Sequence, residues 1–317
     1  MAQITHEIQY FGLHGHIESG GRLIGDVAAN LGKCAQLAAE AGRAGAKIIA
    51  LPEFFTTGIA FDPALRDAAL PPEGAATELL RTLAHHYDAL VGGSFLCRDK
   101  DGHVRNAYFA ADATGMIGRH DKDLPTMWEN AFYIGGQDDG VFRAGTLNVG
   151  AAVCWELMRT RTARRMRAHV DLVMAGSGWW SIPPWRPRAT FAAMERRNHQ
   201  TARAAAATFA KYVGAPVVHA AHVGEFRCAM PWIPLKYRGH FEGSTLITDG
   251  TGSIVAERRP EEGPGIVLGD IHLGRLPPAA EVPDRFWLHS RGALPTAAWH
   301  YQRWHGRRWY RRNMVTT

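Results

Sequence analysis

Apolar runs typical of buried strands alternate with amphipathic segments typical of helices along most of this chain. In residues 26–44 the apolar side chains recur every three or four positions, which predicts a helix with one buried face. That face would carry Leu31, Cys34, Leu37, Ala38 and Ala41. The next run, residues 47–51, is short and apolar, as a strand inside a sheet would be. Strands that alternate with helices predict an α/β fold in which helices cover the faces of a sheet.

The same alternation continues to about residue 271. We predict strands at residues 4–11, 47–51, 89–97, 105–111, 146–153, 170–175, 216–221, 244–248, 254–258 and 266–271. We predict helices at residues 26–44, 77–87, from about 160, and 189–213. A stretch rich in proline and glycine near residues 277–283 marks the clearest boundary. We therefore expect one domain over residues 1–276 and a C-terminal arm over residues 277–317.

Composition sets the broad class of the protein. A chain of 317 residues that is 46% hydrophobic can bury a large core. Its four cysteines lie far apart, without the spacing of a disulfide framework or a zinc site. The first twenty residues lack the pattern of a secretory signal, and no apolar run approaches the roughly 20 residues that span a bilayer. We expect a cytoplasmic protein with reduced thiols and no membrane partner.

The formal net charge of +6 comes mostly from the end of the chain. Five arginines lie within the last fifteen residues, interleaved with Trp304, Trp309 and Tyr310. Such a segment could bind nucleic acid or could pack on a neighbouring subunit or on its own domain. Because the rest of the chain is close to neutral, we expect packing and no nucleic-acid partner.

Three of the predicted strands end at a polar or reactive side chain. They run into Glu53, Cys154 and Ser177. The carboxyl ends of strands in α/β sheets are where ligands meet catalytic side chains. Each residue alone has an ordinary structural explanation, since free cysteines are usually buried as small apolar groups and glutamates often cap helices. Lys122, in the charged stretch R-H-D-K-D, could likewise be a solvated surface lysine.

The joint pattern of these residues carries more information. The segments I-I-A-L-P-E-F-F-T-T-G, R-H-D-K-D-L-P-T-M-W-E-N and G-A-A-V-C-W-E-L follow one another in this order. In their order and spacing they resemble the nitrilase superfamily of carbon–nitrogen hydrolases, over roughly residues 4 to 275. The family's catalytic glutamate, lysine and cysteine then fall at Glu53, Lys122 and Cys154. A further family glutamate falls at Glu129.

The resemblance implies a four-layer α-β-β-α sandwich, in which two sheets pack face to face with helices outside. It also implies a homodimer or a higher homo-oligomer, often with C-terminal arms that embrace a partner. The aromatic and basic tail suits that role.

The chemistry of a carbon–nitrogen hydrolase explains why these residue types occur together. A thiol of ordinary pKa, about 8.5, is mostly protonated at neutral pH and needs a base or a nearby cation. The resemblance assigns Glu53 as the base and Lys122 as the cation that, with the Trp155 backbone N–H, stabilises the charge of the tetrahedral species. Glu129 would orient substrate or water. A thioester forms on Cys154 and water hydrolyses it, so no metal or organic cofactor is required.

The substrate class stays open between amides and nitriles. The pattern K-x-x-P-T-x-x-E and the C-W-E segment favour the nitrilase branch, but the proline that usually follows is missing. Amidase and carbamoylase branches often have an arginine that binds a substrate carboxylate, and Arg159 lies one position late for that role. On the chemistry of the carbonyl alone we expect an amidase.

Several aromatic residues next to the motifs indicate a pocket for an apolar or aromatic group. The candidates for substrate binding are Phe54, Trp128, Trp155, Ser177 and Trp179. Core packing explains each tryptophan equally well. An acyltransferase that passes the thioester to an amine, and a catalytically silent binding protein on the same fold, are the remaining alternatives.

Overall fold

The computed structural model describes residues 5–12, 24–230, 232–289 and 292–315, with the backbone alone for residues 5–12. In these residues the strands are β1 Thr5–Gly12, β2 Ile48–Ala50, β3 Leu90–Arg98, β4 Val104–Asp112, β5 Gly115–Asp121, β6 Val141–Ala144, β7 Leu147–Val153, β8 Leu172–Ser177, β9 Val217–Ala221, β10 Glu225–Ala229, β11 Lys236–His240, β12 Thr245–Thr248, β13 Ile254–Arg258 and β14 Gly265–His272. The helices are α1 Val27–Arg43, α2 Ala75–Tyr87, α3 Thr160–Met166, α4 Arg188–Val213 and α5 Ala293–Asn313.

Two six-stranded sheets form the centre of the molecule. The first has the strand order β14-β1-β2-β3-β4-β5, and the second has the order β13-β12-β9-β8-β7-β6. In each sheet the central strands are parallel, β1-β2-β3 in one and β7-β8-β9 in the other, and the outer pairs are antiparallel. Strands β10 and β11 form a separate hairpin.

The two sheets pack face to face. Strands β1, β2 and β3 of the first sheet contact β8, β9 and β12 of the second. Helices α1 and α2 cover the outer face of the first sheet, and α4 covers that of the second, with α3 packed beside α4. The four-layer α-β-β-α sandwich that the sequence predicts is therefore confirmed.

Local sequence explains where the first helix begins and which face it buries. The Asp26 carboxylate accepts a hydrogen bond from the Ala29 backbone N–H at 3.0 Å, which caps the free donors of α1. Residues Cys34, Leu37, Ala38 and Ala41 of α1 are buried, as the periodicity predicts, whereas Leu31 of the same predicted face is only partly buried. The predicted strand at 4–11 corresponds to β1, and its first residue, Ile4, lies outside the described residues.

Sequence periodicity missed four short strands and the last helix. Strands β5, β6, β10 and β11 have mixed burial, so their apolar pattern is weak.

Helix α5 was expected only as an arm, and it packs against its own domain. The Tyr310 hydroxyl accepts a hydrogen bond from the Val104 backbone N–H at 2.9 Å, and Arg98 donates to the Met314 carbonyl at 2.7 Å. Within the described ranges, no helix is both long and apolar enough to cross a membrane.

Candidate active site

The three predicted catalytic side chains come from strand ends of both sheets. Glu53 follows β2, Lys122 follows β5 directly, and Cys154 follows β7 directly. A Cβ at Gly176, near the end of β8, would lie 2.6 Å from the Glu53 backbone nitrogen. This glycine therefore permits the close approach of the two sheets that brings the three residues together.

Lys122 is the centre of the site. Its Nζ donates hydrogen bonds to Glu53 Oε1 at 2.8 Å, to Glu129 Oε2 at 2.9 Å and to Thr126 Oγ1 at 3.2 Å. The side chains of Lys122, Glu53 and Glu129 are wholly buried. Burial alone would lower the pKa of Lys122, but the Glu129 and Glu53 carboxylates outweigh it and raise that pKa well above its usual range. The lysine is therefore a fixed cation at neutral pH.

Glu53 is held by donors from both sheets. Besides Lys122, the Asn106 side-chain amide donates to Oε1 at 2.8 Å and the Gly178 backbone N–H donates to Oε2 at 2.8 Å. The sequence analysis missed Asn106, because an asparagine inside an apolar strand carries no motif of its own. Gly178 directly follows Ser177, where one of the predicted strands ends, but its contact with Glu53 required the structure.

Glu129 lies on a short 3-10 turn, Met127–Ala131, beside the lysine. Its Oε2 accepts hydrogen bonds from the Thr126 backbone N–H at 3.0 Å and from the Tyr133 hydroxyl. Its Oε1 is buried and accepts no hydrogen bond from any described protein group. Burial raises the pKa of Glu129 to about 7, although Lys122 acts in the opposite direction. One oxygen of this carboxylate is thus left for a ligand.

Cys154 is 1% exposed and begins a 3-10 turn, Cys154–Met158. Its φ of 55° places it in the left-handed region, which a residue with a side chain rarely adopts. Phe54, next to Glu53, and Met127, on the Glu129 turn, also have positive φ, at 53° and 51°. Strained backbone of this kind concentrates at functional sites.

Electrostatics keep the Cys154 thiol neutral in the resting site. Burial, reinforced by the Glu53 carboxylate, raises the pKa of Cys154 well above its ordinary value, while Lys122 lowers it. A nucleophile at Cys154 would therefore have to lose its proton as it attacks, and the Glu53 carboxylate is hydrogen-bonded to the thiol.

A second cluster, buried at His120 and Glu156 and exposed at Asp138, lies beside the predicted catalytic residues and was missed by the sequence analysis. His120 Nε2 lies 2.8 Å from Glu156 Oε2, and His120 Nδ1 bonds Asp138. Glu156 also accepts hydrogen bonds from the backbone N–H groups of Val153 and Asp123, at 2.8 and 3.0 Å. We call His120, Asp138 and Glu156 the supporting cluster, since it ties the residue before Cys154 to the residue after Lys122.

A cavity of about 330 Å³ opens at Cys154. Two of the predicted substrate-binding residues, Trp155 and Trp179, line it, as does Trp180. One wall comes from α4, through residues such as Met194 and Asn198, and another from residues 292–295 at the start of α5. The cavity is mainly apolar and aromatic, which suits an apolar ligand group.

The other predicted substrate-binding residues lie outside this cavity lining. The Trp128 ring does not line the cavity itself but stacks on Trp180, which does, at a centroid distance of 4.6 Å. Phe54 packs near Tyr133, and the Ser177 hydroxyl pairs with His219 at 2.6 Å. No finding tests a substrate contact for any of the five, so these assignments stay predictions.

Arg159, considered as a carboxylate-binding residue, is engaged elsewhere. It pairs with Asp123 at 3.3 Å and its guanidinium lies 4.1 Å from the centroid of the Phe286 ring. It is buried and does not line the cavity.

Comparison with known proteins places this geometry in a family. The model of the carbon-nitrogen hydrolase family matches residues 18–281. The omega-amidase YafV of Yersinia enterocolitica is 28% identical over 215 residues, which cover 67% of this chain and 73% of that protein. A protein named nitrilase from Pyrococcus abyssi is 29% identical over 167 residues, which cover 50% of this chain and 62% of that protein.

A solved structure has the same fold. The crystal structure of a carbon-nitrogen hydrolase from Helicobacter pylori superposes with a TM-score of 0.65, covering 84% of this chain and 89% of that one at 18% identity. At that identity the likeness concerns the fold alone. Because the family model matches most of the chain, this protein belongs to the carbon–nitrogen hydrolase family of the nitrilase superfamily and is a hydrolase.

Proposed function

We propose that this protein hydrolyses a small amide with an apolar or aromatic acyl group, through a thioester on Cys154. The observation that carries the proposal is the position of Lys122 Nζ, bonded to both Glu53 and Glu129 at 2.8 and 2.9 Å, beside a buried thiol at an apolar cavity. The omega-amidase relative supports the amide class.

In the first half-reaction, Glu53 takes the thiol proton as Cys154 sulfur forms a bond to the amide carbon. Negative charge develops on the amide oxygen, where Lys122 and the Trp155 backbone N–H are the proposed stabilising donors. The C–N bond then breaks as Glu53 returns its proton to the nitrogen. Ammonia or an amine leaves, and the acyl group remains on Cys154 as a thioester.

In the second half-reaction, water attacks the thioester carbon as Glu53 takes one of its protons. Collapse of this second tetrahedral species breaks the C–S bond, and the proton from Glu53 restores the thiol. Glu129 Oε1, which no described protein group engages, is suited to accept a hydrogen bond from the amide NH₂ and later from the water. Because Glu129 Oε2 is fixed by Lys122, Thr126 and Tyr133, its position needs little reorganisation.

A nitrilase is the second candidate, favoured by the Pyrococcus abyssi relative and by the K-x-x-P-T-x-x-E pattern. In this structure, however, residues of these motifs hold the proposed catalytic groups in position. Thr126 accepts from Lys122 through its hydroxyl and donates to Glu129 through its backbone, and the glutamate of C-W-E belongs to the supporting cluster. The motif therefore explains how the catalytic groups are held and does not by itself select a nitrile.

Matched substrates distinguish the two candidates. We expect a higher kcat/KM for phenylacetamide than for phenylacetonitrile, with ammonia and phenylacetate measured together. A preference of tenfold or more for the nitrile, about 1.4 kcal/mol in transition-state free energy, would reverse the assignment.

Hydroxylamine added to the amide reaction tests for acyl transfer, because a hydroxamate that forms faster than the acid would favour the acyltransferase alternative. Turnover of neither substrate class would favour the silent binding protein.

We further propose that the protein self-associates through α5. Leu294, Tyr301 and Trp304 are 56%, 46% and 62% exposed and recur at spacings that place them on one helix face. Sedimentation of Tyr301→Ser/Trp304→Ser against the unaltered chain tests this, and identical profiles would contradict it.

A further inference from the structure

A cluster of four ionisable side chains lies where α4 meets the end of β11. It consists of Glu195 and His199, one turn apart on α4, together with His240 and Glu242. Glu242 is wholly buried, and Glu195 is 24% exposed at its side chain. No residue of this cluster takes part in the hydrolysis described above.

Ligand atoms of Glu195, His240 and Glu242 all lie within 4.8 Å of one another, and His199 joins the cluster through Glu242. His199 Nδ1 lies 2.9 Å from Glu242 Oε2, while His240 Nε2 lies 3.4 Å from Glu195 Oε1 and 4.0 Å from Glu242 Oε2. Bonds of about 2.0–2.1 Å to a tetrahedral zinc ion separate neighbouring ligand atoms by roughly 3.4 Å. The two separations from His240 Nε2, 3.4 and 4.0 Å, are close to this value.

Each carboxylate is oriented by a separate donor on its other oxygen. The Ile182 backbone N–H donates to Glu195 Oε2, and the Asn198 side-chain amide donates to Glu242 Oε1. Outer contacts of this kind aim the remaining oxygen of a carboxylate ligand toward a metal. The two oxygens that face the histidines are the ones these donors leave available.

The charges around the cluster also favour a bound cation. Among the described residues, no lysine or arginine lies within 4.0 Å of either carboxylate. A wholly buried carboxylate such as Glu242 is unfavourable as an anion without a cation beside it, because its charge loses hydration. One imidazole and two carboxylates, with a second imidazole at His199 beside Glu242, form a donor set that suits zinc and similar ions.

We propose that this cluster binds one divalent transition-metal ion of the Zn²⁺ class. The ion would also stiffen one wall of the substrate cavity. Asn198 lines that cavity, accepts a hydrogen bond from Trp179 Nε1 at 3.0 Å and donates one to the Trp180 carbonyl at 3.1 Å. The Glu242 backbone N–H donates to the Trp179 carbonyl at 2.8 Å. The proposal does not depend on which amide or nitrile the enzyme hydrolyses.

Direct binding tests the proposal. Chelator-treated full-length protein is titrated with Zn²⁺ by calorimetry, and with Co²⁺, whose visible absorption reports a tetrahedral site. We expect one ion per chain, with His240→Ala and Glu195→Gln each weakening binding at least tenfold. His240 is about half-exposed, so its replacement should leave the fold intact.

Exposed residues on α2 supply matched controls. His86→Ala and Glu78→Gln remove the same types of side chain away from the cluster and should leave binding unchanged. The Ser181 backbone N–H donates to the His240 carbonyl at 2.8 Å, so hydrogen exchange at the Glu242 and Ser181 amides should slow on Zn²⁺ addition. Absence of stoichiometric binding, or equal affinity in the cluster variants and the controls, would show that the four residues form an ordinary ion-pair network and would overturn the proposal.

Discussion

Two buried cations lie two residues apart in this chain, each held between two carboxylates. Lys122 is bonded to Glu53 and Glu129, and His120 is bonded to Glu156 and Asp138. In the supporting cluster both Glu156 oxygens accept hydrogen bonds from backbone N–H groups. In the proposed catalytic cluster of Glu53, Lys122, Glu129 and Cys154, the Glu129 Oε1 atom is left without a described protein donor, and the neighbouring thiol opens to a cavity.

Similar arrangements of charge therefore have different roles in the two clusters. A fully satisfied buried network rigidifies the structure around it, whereas an unsatisfied oxygen in a buried site is available to a ligand. Changes in the proposed catalytic cluster should therefore appear first in kcat, although removal of Lys122 should also cost about 3–5 kcal/mol of stability, because it leaves two buried carboxylates without their cation. Changes in the supporting cluster should appear first in the free energy of unfolding.

The largest expected effect is at the nucleophile. Cys154→Ala removes the atom that forms the thioester, so activity should fall by at least about 10⁴-fold. Steady-state ammonia release measures it, and iodoacetamide should inactivate the unaltered enzyme as Cys154 is alkylated. The variants Cys34→Ala, Cys97→Ala and Cys228→Ala are controls that should remain active. An active Cys154→Ala protein would remove the basis of the mechanism.

The next largest effect is expected at Glu53 and Lys122. Glu53→Gln and Lys122→Ala should each lower kcat at least about a hundredfold, the scale of a lost general base or of a lost charge-stabilising group. Glu53→Gln should still fold, because the amide has the same shape, and should lose some thermal stability, because its NH₂ group faces an N–H donor where an oxygen accepted before. Near-normal kcat in either variant would make that residue's role structural.

A third prediction concerns the supporting cluster and pH. Burial alone would lower the pKa of His120, but the Glu156 and Asp138 carboxylates raise it from 6.5 to about 9. The folded state thus binds this proton more tightly than the unfolded state. The resulting stability, about 3 kcal/mol, is present below pH 6.5 and is lost as pH rises through 9.

Unfolding by urea between pH 6 and pH 10 measures this contribution. His120→Gln should be less stable at pH 6 and should lose less stability than the unaltered protein on going to pH 10. His85→Gln, at an exposed position on α2, is the matched control. An alkaline decline of equal size in His120→Gln would exclude His120 as its source.

The smallest effect tests how α5 supports the turn that carries Glu129. A Cβ at Gly306 would lie 2.7 Å from Asn130 Cβ and 3.0 Å from the Ala131 nitrogen. Gly306→Ala should therefore cost about 1–3 kcal/mol of stability through overpacking and lower kcat a few-fold as the turn shifts.

Gly32, on α1, provides the opposite case. Nothing lies within 4 Å of its Cβ position, so Gly32→Ala should stabilise the protein by about 0.5–1 kcal/mol and leave kcat unchanged. Thermal unfolding and kcat measured for both variants check the pair. Equal behaviour of the two variants would mean that α5 does not press on the Glu129 turn.

The sequence by itself determined the alternation of strands and helices, the order of the motifs and hence the family. These features are local, since apolar periodicity and motif spacing depend only on the order of residues in the chain. The three proposed catalytic positions followed from the resemblance, and in the structure Glu53, Lys122 and Cys154 lie together in one buried cluster beside Glu129. Apolar periodicity did not reveal β5 or α5, whose mixed burial reflects contacts with distant residues.

Only the tertiary structure decided which side chains surround the catalytic groups. Asn106 and Gly178 reach Glu53 from different sheets, at sequence separations of 53 and 125 residues. The positive φ of Cys154 is likewise a strain that the surrounding structure must impose. The cavity wall at α5 and the supporting cluster depend on long-range packing in the same way. Such contacts leave no local pattern, because burial and hydrogen bonding between distant segments are settled only when the sheets pack together.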